Sequence, residues 1–467
     1  MIYSASYILS MSKINLIVVL MVFLVAFFIA SAAYASELNR NADSKLTAST
    51  PENPAIVKDE IVIAKENGSR VQWRHIVLKG NNTEIGMALG QIAQRDYGVK
   101  SLQKYDDPIY GKARQEYMKS NCPPLVERMA GIARAYGLSE DNDAFDTTTL
   151  PYDAGSLACS MIYFPPETMI SGNALVSRNT EWYLVPVDVY LNLSDNATGN
   201  AAASRDFIME IYPDEGYSTI AISMNDLNSV TDGLNSEGLG ISMLEDISFL
   251  PGQTLPAGAR DSGVNNLQIA RLILETCRTV EEAKIAFLNN KLFFTGMASH
   301  YMVYDNLGNS TIVEWNETNG SVIFTDGSPA KPSIMTNHPI YLYTGYSLET
   351  LPREANLIPY NDPYDSFRRY ITLSNLTSTT NSQNGRFTEV QAADALSAVS
   401  PNTVIAAEGA MRPLPINTIY HVLTDLTNGS MKVKFYLMNG PKDPVTGKNT
   451  SVFSPYVTFK LDRSIGR

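Results

Sequence analysis

The chain has 467 residues, a formal net charge of −12 at pH 7, 44% hydrophobic residues and 18% charged residues. This length suffices for one large domain with an accessory segment. The acidic charge is spread along the chain without a basic block, which argues against nucleic acids and anionic membrane surfaces as partners.

The amino terminus has the pattern of a secretory signal peptide. Lys13 precedes an apolar run at Leu16–Ala30, and AYA at Ala33–Ala35 matches a small-x-small cleavage signature. We therefore expect residues 1–35 to be removed from a secreted protein; left in place, they would form a membrane anchor. Sequons for N-glycosylation, which favour an exported glycoprotein, lie at Asn67, Asn192, Asn196, Asn309, Asn316, Asn375, Asn428 and Asn449.

A linker and a helical segment follow the signal peptide. Residues 36–69 are mostly polar and contain two prolines, which predicts a linker. Residues 70–158 contain two stretches with apolar residues at helical spacing. The first, NTEIGMALGQIAQRDYG, ends at Gly98, and the second, PPLVERMAGIARAYG, begins with a proline pair and also ends at a glycine. We therefore predict a small helical segment before the main domain.

The main domain, residues 159–467, alternates groups of strands with pairs of helices. Short β-rich runs such as DFIMEIYP and YSTIAIS come first, followed by the helical stretches NNLQIARLILETC and TVEEAKIAFLNN. Strands, two further helices and a last group of strands complete the chain. This order predicts an α+β fold in which helices cover sheets in layers.

The cysteines and the absence of common motifs narrow the chemistry. Cys122, Cys159 and Cys277 are odd in number and far apart, so they do not form a disulfide framework and at least one thiol is free. The sequence has no G-x-S-x-G, no P-loop and no G-x-G-x-x-G motif. Its four histidines are isolated from one another, and we expect neither a metal nor another cofactor.

The residues around Cys159 carry the most informative pattern. This cysteine follows small residues and precedes an apolar, strand-like run in DAGSLACSMIYFPP. Further along the chain come the strings SRNTEW, DGLNSEGLGIS, TNHP and SFRRY, and NNTEIGMALG lies upstream. In this order they resemble the N-terminal-nucleophile cysteine hydrolases of the penicillin acyltransferase (peptidase C45) and choloylglycine hydrolase group. The resemblance extends over about residues 75–440.

The resemblance implies a fold and a maturation step. The fold would be a four-layer αββα sandwich, preceded by the helical stretch at 70–158 as a pro-segment. The precursor would cut itself between Ala158 and Cys159, which makes the cysteine the first residue of the active chain.

The chemistry of an amino-terminal cysteine fits that maturation step. A thiol with a pKa of about 8.5 is mostly protonated at neutral pH and needs a base. A free α-amino group, with a pKa of about 7.7 to 8.0, can be that base on the same residue. Before cleavage the nitrogen of Cys159 belongs to an amide and cannot accept the proton. The alternative interpretation of Cys159 is a buried structural cysteine.

The resemblance also implies roles for other residues. A hairpin would bring Arg178 beside the thiolate, although this residue could instead be a surface arginine paired with an acid. Glu181 stands where the family usually has an aspartate that holds the α-ammonium. Asn337 would donate its side-chain amide to the oxyanion. Arg369, or its neighbour Arg368, matches a family arginine near the nucleophile.

Two residues are predicted to line the substrate pocket. Glu245 follows a predicted strand, at a position where bile-salt hydrolases usually have an asparagine; this difference argues against bile-salt substrates. His338 follows Asn337 directly, and we expect it to pack in the site or line the pocket.

Together these patterns predict a secreted, self-processing cysteine amidase or acyltransferase. It would act on small, linear, non-peptide amides that carry an acyl group, through a thioester on Cys159. Water or an amine would accept the acyl group. The alternative is a catalytically silent secreted relative that binds acyl or lipid ligands.

The two other cysteines provide a first test, because neither lies in a matched motif. Serine replacements at Cys122 and Cys277 should leave both self-cleavage and amide turnover nearly unchanged, as measured by intact mass and product formation. Loss of activity in Cys277→Ser, with folding intact, would mean that the nucleophile is not Cys159 alone.

Overall fold

The computed structural model describes the chain from residue 53 to residue 462 with several gaps. The described residues are 53–65, 70–152, 158–186, 200–201, 203–247, 262–294, 298–316, 318–351, 363–378, 385–401, 404–405, 414–444 and 449–462. The predicted signal peptide, residues 1–35, lies outside these ranges, as does the first part of the predicted linker. No helix in the described ranges is long and apolar enough to cross a membrane.

From Cys159 onward, the described strands and helix pairs alternate as the sequence predicts. The helices are α1 Asn82–Asp96, α2 Pro108–Asn121, α3 Pro123–Ala135, α4 Asn266–Thr276, α5 Val280–Asn289, α6 Pro363–Leu376 and α7 Glu389–Ser397. The strands are β1 Ile56–Ile63, β2 Gln72–Gly80, β3 Ala158–Phe164, β4 Leu175–Tyr183, β5 Arg205–Pro213, β6 Thr219–Ser223, β7 Asp232–Asn235, β8 Leu239–Glu245, β9 Val264–Asn265, β10 Leu292–Phe293, β11 Ser299–Asp305, β12 Ser310–Trp315, β13 Val322–Asp326, β14 Ser333–Met335, β15 Val404–Ile405, β16 Leu414–Asp425, β17 Ser430–Lys442, β18 Asn449–Phe453 and β19 Val457–Lys460.

Most of these strands belong to two large sheets. The nine-stranded sheet has the order β1-β2-β5-β6-β7-β8-β11-β12-β13, and the eight-stranded sheet has the order β14-β3-β4-β16-β17-β18. In the latter sheet, β15 also pairs with β16 and β19 pairs with β17. Strands β9 and β10 form a separate parallel pair.

The two sheets face each other and helices cover their outer faces. The core between the sheets includes Trp73 and Met302 from one sheet and Met161 and Val433 from the other. Helices α1 to α5 pack on the outer face of the nine-stranded sheet, and α6 and α7 pack on the outer face of the eight-stranded sheet. The alternating side-chain directions of each strand supply these two apolar faces. The predicted α+β class and the αββα layers are confirmed.

The segment before Cys159 differs from its prediction. Strand β1 lies within the predicted linker 36–69, and β2 lies within the segment 70–158 that was predicted to be helical. Strand β2 runs parallel to β5 through nine residue pairs. The linker prediction is wrong at β1. This strand, IVKDEIVI, lies at the edge of the sheet, where none of its residues is fully buried, and three consecutive charged residues interrupt its apolar pattern. The segment is therefore part of the main sheet rather than a separate helical unit.

A buried ionic network ties this segment to the rest of the fold. Arg128 of α3 donates from Nη1 to Glu275 Oε1 at 2.6 Å and from Nη2 to Asn82 Oδ1 at 2.7 Å. Arg271 of α4 also donates to Glu275 Oε1, at 3.3 Å. Removing one partner of such a buried pair leaves an uncompensated charge, so this contact resists separation of the segment.

Helices α1 and α3 approach so closely that their backbones touch. A Cβ added at Gly86 would lie 2.0 Å from the carbonyl oxygen of Arg128, and one added at Gly131 would lie 2.0 Å from the carbonyl oxygen of Thr83. Any larger residue at either glycine must push the helices apart.

The contact predicts the sign of a stability change. Alanine is normally preferred over glycine in a helix by about 1 kcal/mol. Gly131→Ala should nevertheless lower the free energy of unfolding by about 1–3 kcal/mol, because the added methyl overpacks the crossing. Urea unfolding of the Cys159→Ala chain measures this change. Lys112→Ala, on the exposed face of α2, is the control and should stay within about 0.5 kcal/mol; a more stable Gly131→Ala chain would contradict the close contact.

Candidate active site

Cys159 lies in the second position of β3, in the core between the sheets. Its side chain is fully buried. Strand β4 pairs antiparallel with β3, so that Cys159 is opposite Thr180 and Met161 is opposite Arg178. This register puts Arg178 on the same face as the cysteine, at a diagonal position. Its Nη2 donates to the Cys159 Sγ at 3.0 Å, so the structure brings these two predicted site residues together.

Arg178 is buried and held from the opposite sheet. Its Nη1 donates to the carboxylate of Asp232 and, at 3.0 Å, to the carbonyl oxygen of Thr231. The alternative of a surface arginine is therefore wrong, because the side chain is fully buried. Sequence reasoning assigned no role to Asp232, which begins the string DGLNSEGLGIS. A carboxylate at the start of a buried strand was the signal that could have identified it, since buried charges require partners.

Arg369 of α6 contacts the peptide atoms of the cysteine. Its Nη1 donates to the Cys159 carbonyl oxygen at 2.6 Å and to Ser160 Oγ at 2.7 Å. Arg368 points elsewhere, because adjacent residues on a helix differ in direction by about 100°. Its side chain is 44% exposed and pairs with Asp365. The structure thus brings Arg369, and not Arg368, to the nucleophile.

Asn337 holds the amide of the cysteine. Its Oδ1 accepts hydrogen bonds from the Cys159 backbone N–H at 3.0 Å and from Arg369 Nη2 at 2.9 Å. Its Nδ2 donates to the Glu245 carbonyl oxygen at 3.0 Å. An amide NH₂ group carries two hydrogens, so the bond to Glu245 is compatible with the predicted oxyanion role. That role stays a prediction.

Glu181 is fully buried on β4, in register with Ala158 across the β3–β4 pair. Neither of its carboxylate oxygens has a hydrogen-bond partner among the described residues. Burial raises the pKa of the Glu181 carboxyl to about 8, although the charges of Arg369 and Arg178 act in the opposite direction. The carboxyl is therefore largely protonated at neutral pH while Ala158 and Cys159 remain joined.

Burial affects the nucleophile in the same direction. It raises the pKa of the Cys159 thiol to about 11, against the lowering effect of the Arg178 charge. The thiol of the uncut chain is therefore held in its protonated form at neutral pH.

The two predicted pocket residues occupy different environments. Glu245 is partly buried at the end of β8, and its carbonyl contact with Asn337 places it near the cysteine. His338 is buried, with Nδ1 2.9 Å from Ser366 Oγ, and its ring packs against Phe367 and neighbouring tyrosines. Burial lowers the pKa of its imidazole well below the ordinary value. The pocket role of both residues stays a prediction.

Other candidate binding features lie away from these residues. A cavity of about 310 Å³ is lined by residues that include Lys284, Asp305 and Asp326, and none of the predicted site residues contributes to it. Within the described ranges, no three His, Cys, Asp or Glu side chains are grouped as metal ligands.

One family model matches the middle of the chain. The family model described as acyl-coenzyme A:6-aminopenicillanic acid acyl-transferase matches residues 192–394. The matched range is 203 of the 467 residues. Asn337 and Arg369 lie within the matched range, whereas Cys159 and Arg178 precede it. Comparison with curated proteins gave no match.

Solved structures of a hydrolase, an acylase and an amidase resemble the chain at low identity. A mutant of the conjugated bile acid hydrolase from Clostridium perfringens is 14% identical, with a TM-score of 0.41, over 66% of this chain and 97% of that one. The penicillin V acylase from Agrobacterium tumefaciens is 17% identical, with a TM-score of 0.37, over 59% and 82%. The N-acylethanolamine-hydrolyzing acid amidase ortholog from Caenorhabditis elegans is 15% identical, with a TM-score of 0.32, over 65% and 100%.

The raised pKa of Glu181 predicts how the stability of the uncut chain depends on pH. Between its unfolded value of 4.5 and its folded value of about 8, the carboxyl is protonated in the folded chain and ionised in the unfolded one. The contribution of Glu181 to the free energy of unfolding should therefore fall as pH rises through this window, by at most about 1.4 kcal/mol per pH unit. Glu181→Gln in the Cys159→Ala chain should remove this decline.

Urea unfolding at pH 5 and pH 8 measures the effect. The exposed residue Glu237 supplies the control, because Glu237→Gln should keep the pH dependence of the unfolding free energy that the parent shows. If the pH dependence of the unfolding free energy is the same in Glu181→Gln as in the parent, Glu181 is ionised in the folded, uncut chain.

Proposed function

We propose that the protein is a self-processing cysteine amidase or acyltransferase with Cys159 as its nucleophile. The observation that carries this proposal is the contact between the buried Cys159 sulfur and the Arg178 guanidinium. Asn337 and Arg369 bind the amide and carbonyl groups of the same cysteine. The match to an acyl-transferase family supports the reaction class.

The first reaction would be the cut between Ala158 and Cys159. The sulfur attacks the Ala158 carbonyl carbon, and the bond from that carbon to the Cys159 nitrogen breaks. The nitrogen takes the proton of the thiol, which leaves a thioester and a new α-amino group. Water then hydrolyses the thioester to give the Ala158 carboxylate and the free thiol. The new ammonium would supply Glu181 with the positive partner that its carboxyl lacks in the uncut chain.

Turnover would repeat the same chemistry on a small amide. The α-amino group of Cys159 takes the thiol proton, and the sulfur attacks the substrate carbonyl. The amine of the substrate departs with that proton, and its acyl group remains on the sulfur as a thioester. Water, in hydrolysis, or a second amine, in acyl transfer, then removes the acyl group. We propose linear, non-peptide amides as the substrate class.

Export is part of the same proposal. The signal-like pattern of residues 1–35 supports it. Among the sequon asparagines in the described ranges, Asn309, Asn375, Asn428 and Asn449 are exposed. Exposed sequons are available to a glycosylation enzyme, whereas buried ones are not.

The cut is the direct test of the nucleophile. Purified protein should consist of two chains, and the carboxy-terminal one should begin at Cys159 when read by intact mass and amino-terminal sequencing. Cys159→Ala should stay a single chain. A protein that remains uncut and still hydrolyses amides would disprove this mechanism.

The activity itself is tested with linear acyl amides. Penicillin V, a conjugated bile acid and an N-acylethanolamine are suitable probes for hydrolysis, and 6-aminopenicillanic acid with an acyl-coenzyme A is suitable for transfer. Turnover of at least one probe, absent in Cys159→Ala, supports the enzyme. A correctly cut protein that binds such ligands without turnover would instead support a silent binding relative.

Asn337 provides a test of the oxyanion interaction. Charge develops on the carbonyl oxygen only after sulfur attack, so its donor acts on the transition state more than on bound substrate. Asn337→Ala should lower kcat by roughly 10² to 10³ with little change in KM, in steady-state kinetics on the responding probe. Asn337→Asp replaces the donor by an acceptor and should be at least as damaging; wild-type activity in that variant would exclude Asn337 as the donor.

A further inference from the structure

Asp232 is a buried carboxylate whose bonds are all directed to the surroundings of the nucleophile. It lies on β7 of the nine-stranded sheet and is 2% exposed. Its Oδ1 accepts from Arg178 Nη1 and, at 2.6 Å, from Ser242 Oγ. Its Oδ2 accepts from the Tyr420 hydroxyl at 2.6 Å. Tyr420 and Arg178 belong to the eight-stranded sheet, so the carboxylate joins the two sheets.

These bonds determine the direction of the Arg178 side chain. A guanidinium is planar, and its N–H groups form a rigid fork. Asp232 and the Thr231 carbonyl oxygen occupy Nη1, and Nη2 is then aimed at the Cys159 sulfur. The arginine side chain has several rotatable bonds, and of its two described anchors Asp232 is the charged one; the Thr231 carbonyl oxygen is the other.

We propose that Asp232 is a positioning residue that holds the Arg178 guanidinium against the Cys159 sulfur from the opposite sheet. The proposal rests on the proposed function for what the sulfur then does. It implies that the cysteine gains its cation only after the two sheets have packed together, which links the reactivity of the thiol to completion of the fold.

Two effects of Asp232 on the thiol have opposite signs, which makes the proposal testable. The negative charges of Asp232 and Glu181 disfavour a thiolate, and the positive charge of Arg178 favours it. Arg369 adds a positive charge beside the Cys159 carbonyl group. Removing the Asp232 charge alone would make the sulfur easier to ionise. Releasing Arg178 from its position would make the sulfur harder to ionise, and we expect this second effect to dominate.

The experiment compares three variants in a Cys122→Ser/Cys277→Ser chain, in which Cys159 is the remaining thiol. Asp232→Asn keeps the shape and removes the charge, and Tyr420→Phe removes one donor to the carboxylate. Glu275→Gln is the matched control, because Glu275 is also a buried carboxylate paired with arginines. It lies on α4, and its partners are Arg128 and Arg271. The chains are made by cell-free synthesis, and the rate constant of self-cleavage is followed by intact mass from pH 5 to pH 9.

A second readout does not require any reaction. The S–H stretching band in the Raman spectrum reports the protonated thiol without overlap from tyrosine and without solvent access. The pH at which this band disappears is compared between each variant and its parent in the same cleavage state, as established by intact mass, with urea unfolding as the measure of stability.

If Asp232 positions Arg178, Asp232→Asn should slow self-cleavage at pH 7 by about 10-fold or more. The variant should also retain the S–H band to higher pH than the parent. A shift of one pH unit corresponds to a change of about 10-fold in ionisation. Tyr420→Phe should shift both in the same direction and by less, and Glu275→Gln should lose stability without moving the band. Faster cutting or earlier loss of the band in Asp232→Asn would overturn the proposal. So would a slowing no greater than that of Glu275→Gln. If the parent is never cut, the maturation step fails, and the S–H titration still decides the role of Asp232.

Discussion

The arrangement of the site depends on the Arg178 guanidinium, which bridges the two sheets. It contacts the Cys159 sulfur on one side and the Asp232 carboxylate on the other. A buried charge without a partner would cost several kcal/mol, so the arginine and the carboxylate can lie in this core only as a pair. The pair in turn places a cation beside a sulfur from which water is excluded. The interface between the sheets, which is otherwise hydrophobic, thus contains a buried ion pair in contact with a thiol.

Burial has a second consequence, which is to disfavour the ionised forms of the Cys159 thiol and the Glu181 carboxyl in the uncut chain. It raises the pKa of the Cys159 thiol to about 11 and that of the Glu181 carboxyl to about 8. Electrostatic interactions are stronger in such surroundings than in water. An ammonium group formed at Cys159 would therefore interact strongly with the Cys159 sulfur and with the Glu181 carboxyl. The same exclusion of water that suppresses ionisation before a cut would strengthen ion pairing after it.

The segment before Cys159 is built into the fold rather than attached to it. Strand β2 pairs with β5, the backbones of α1 and α3 touch, and Arg128 shares Glu275 with Arg271 across the boundary. A cut between Ala158 and Cys159 would break one covalent bond and none of these contacts. The two products would therefore stay together as one folded unit.

Local patterns in the sequence were sufficient for the features that depend on nearby residues. Proline and glycine positions predicted helices in the regions of α1 and α3, and the alternation of strands and helix pairs predicted the α+β class. The proximity of Cys159 and Arg178 was also predictable, because the two residues lie on consecutive antiparallel strands. The order of the sequence motifs, through its resemblance to a known enzyme group, added the candidate site residues Glu181, Asn337 and Arg369.

Tertiary structure alone decided the features that depend on distant pairing or on the direction of a single side chain. Strand β1 looked like a linker because the charged residues Lys58, Asp59 and Glu60 interrupt its apolar run, which an exposed sheet edge tolerates. Arg369 could not be separated from Arg368 until the direction of α6 over the sheet was known. Asp232 acquired its role only when the second sheet placed it opposite Arg178. Sequence by itself determined most of the helices and strands after Cys159 and the candidate site residues; the packing of one sheet on the other decided which charges meet, because that contact joins residues far apart in the chain.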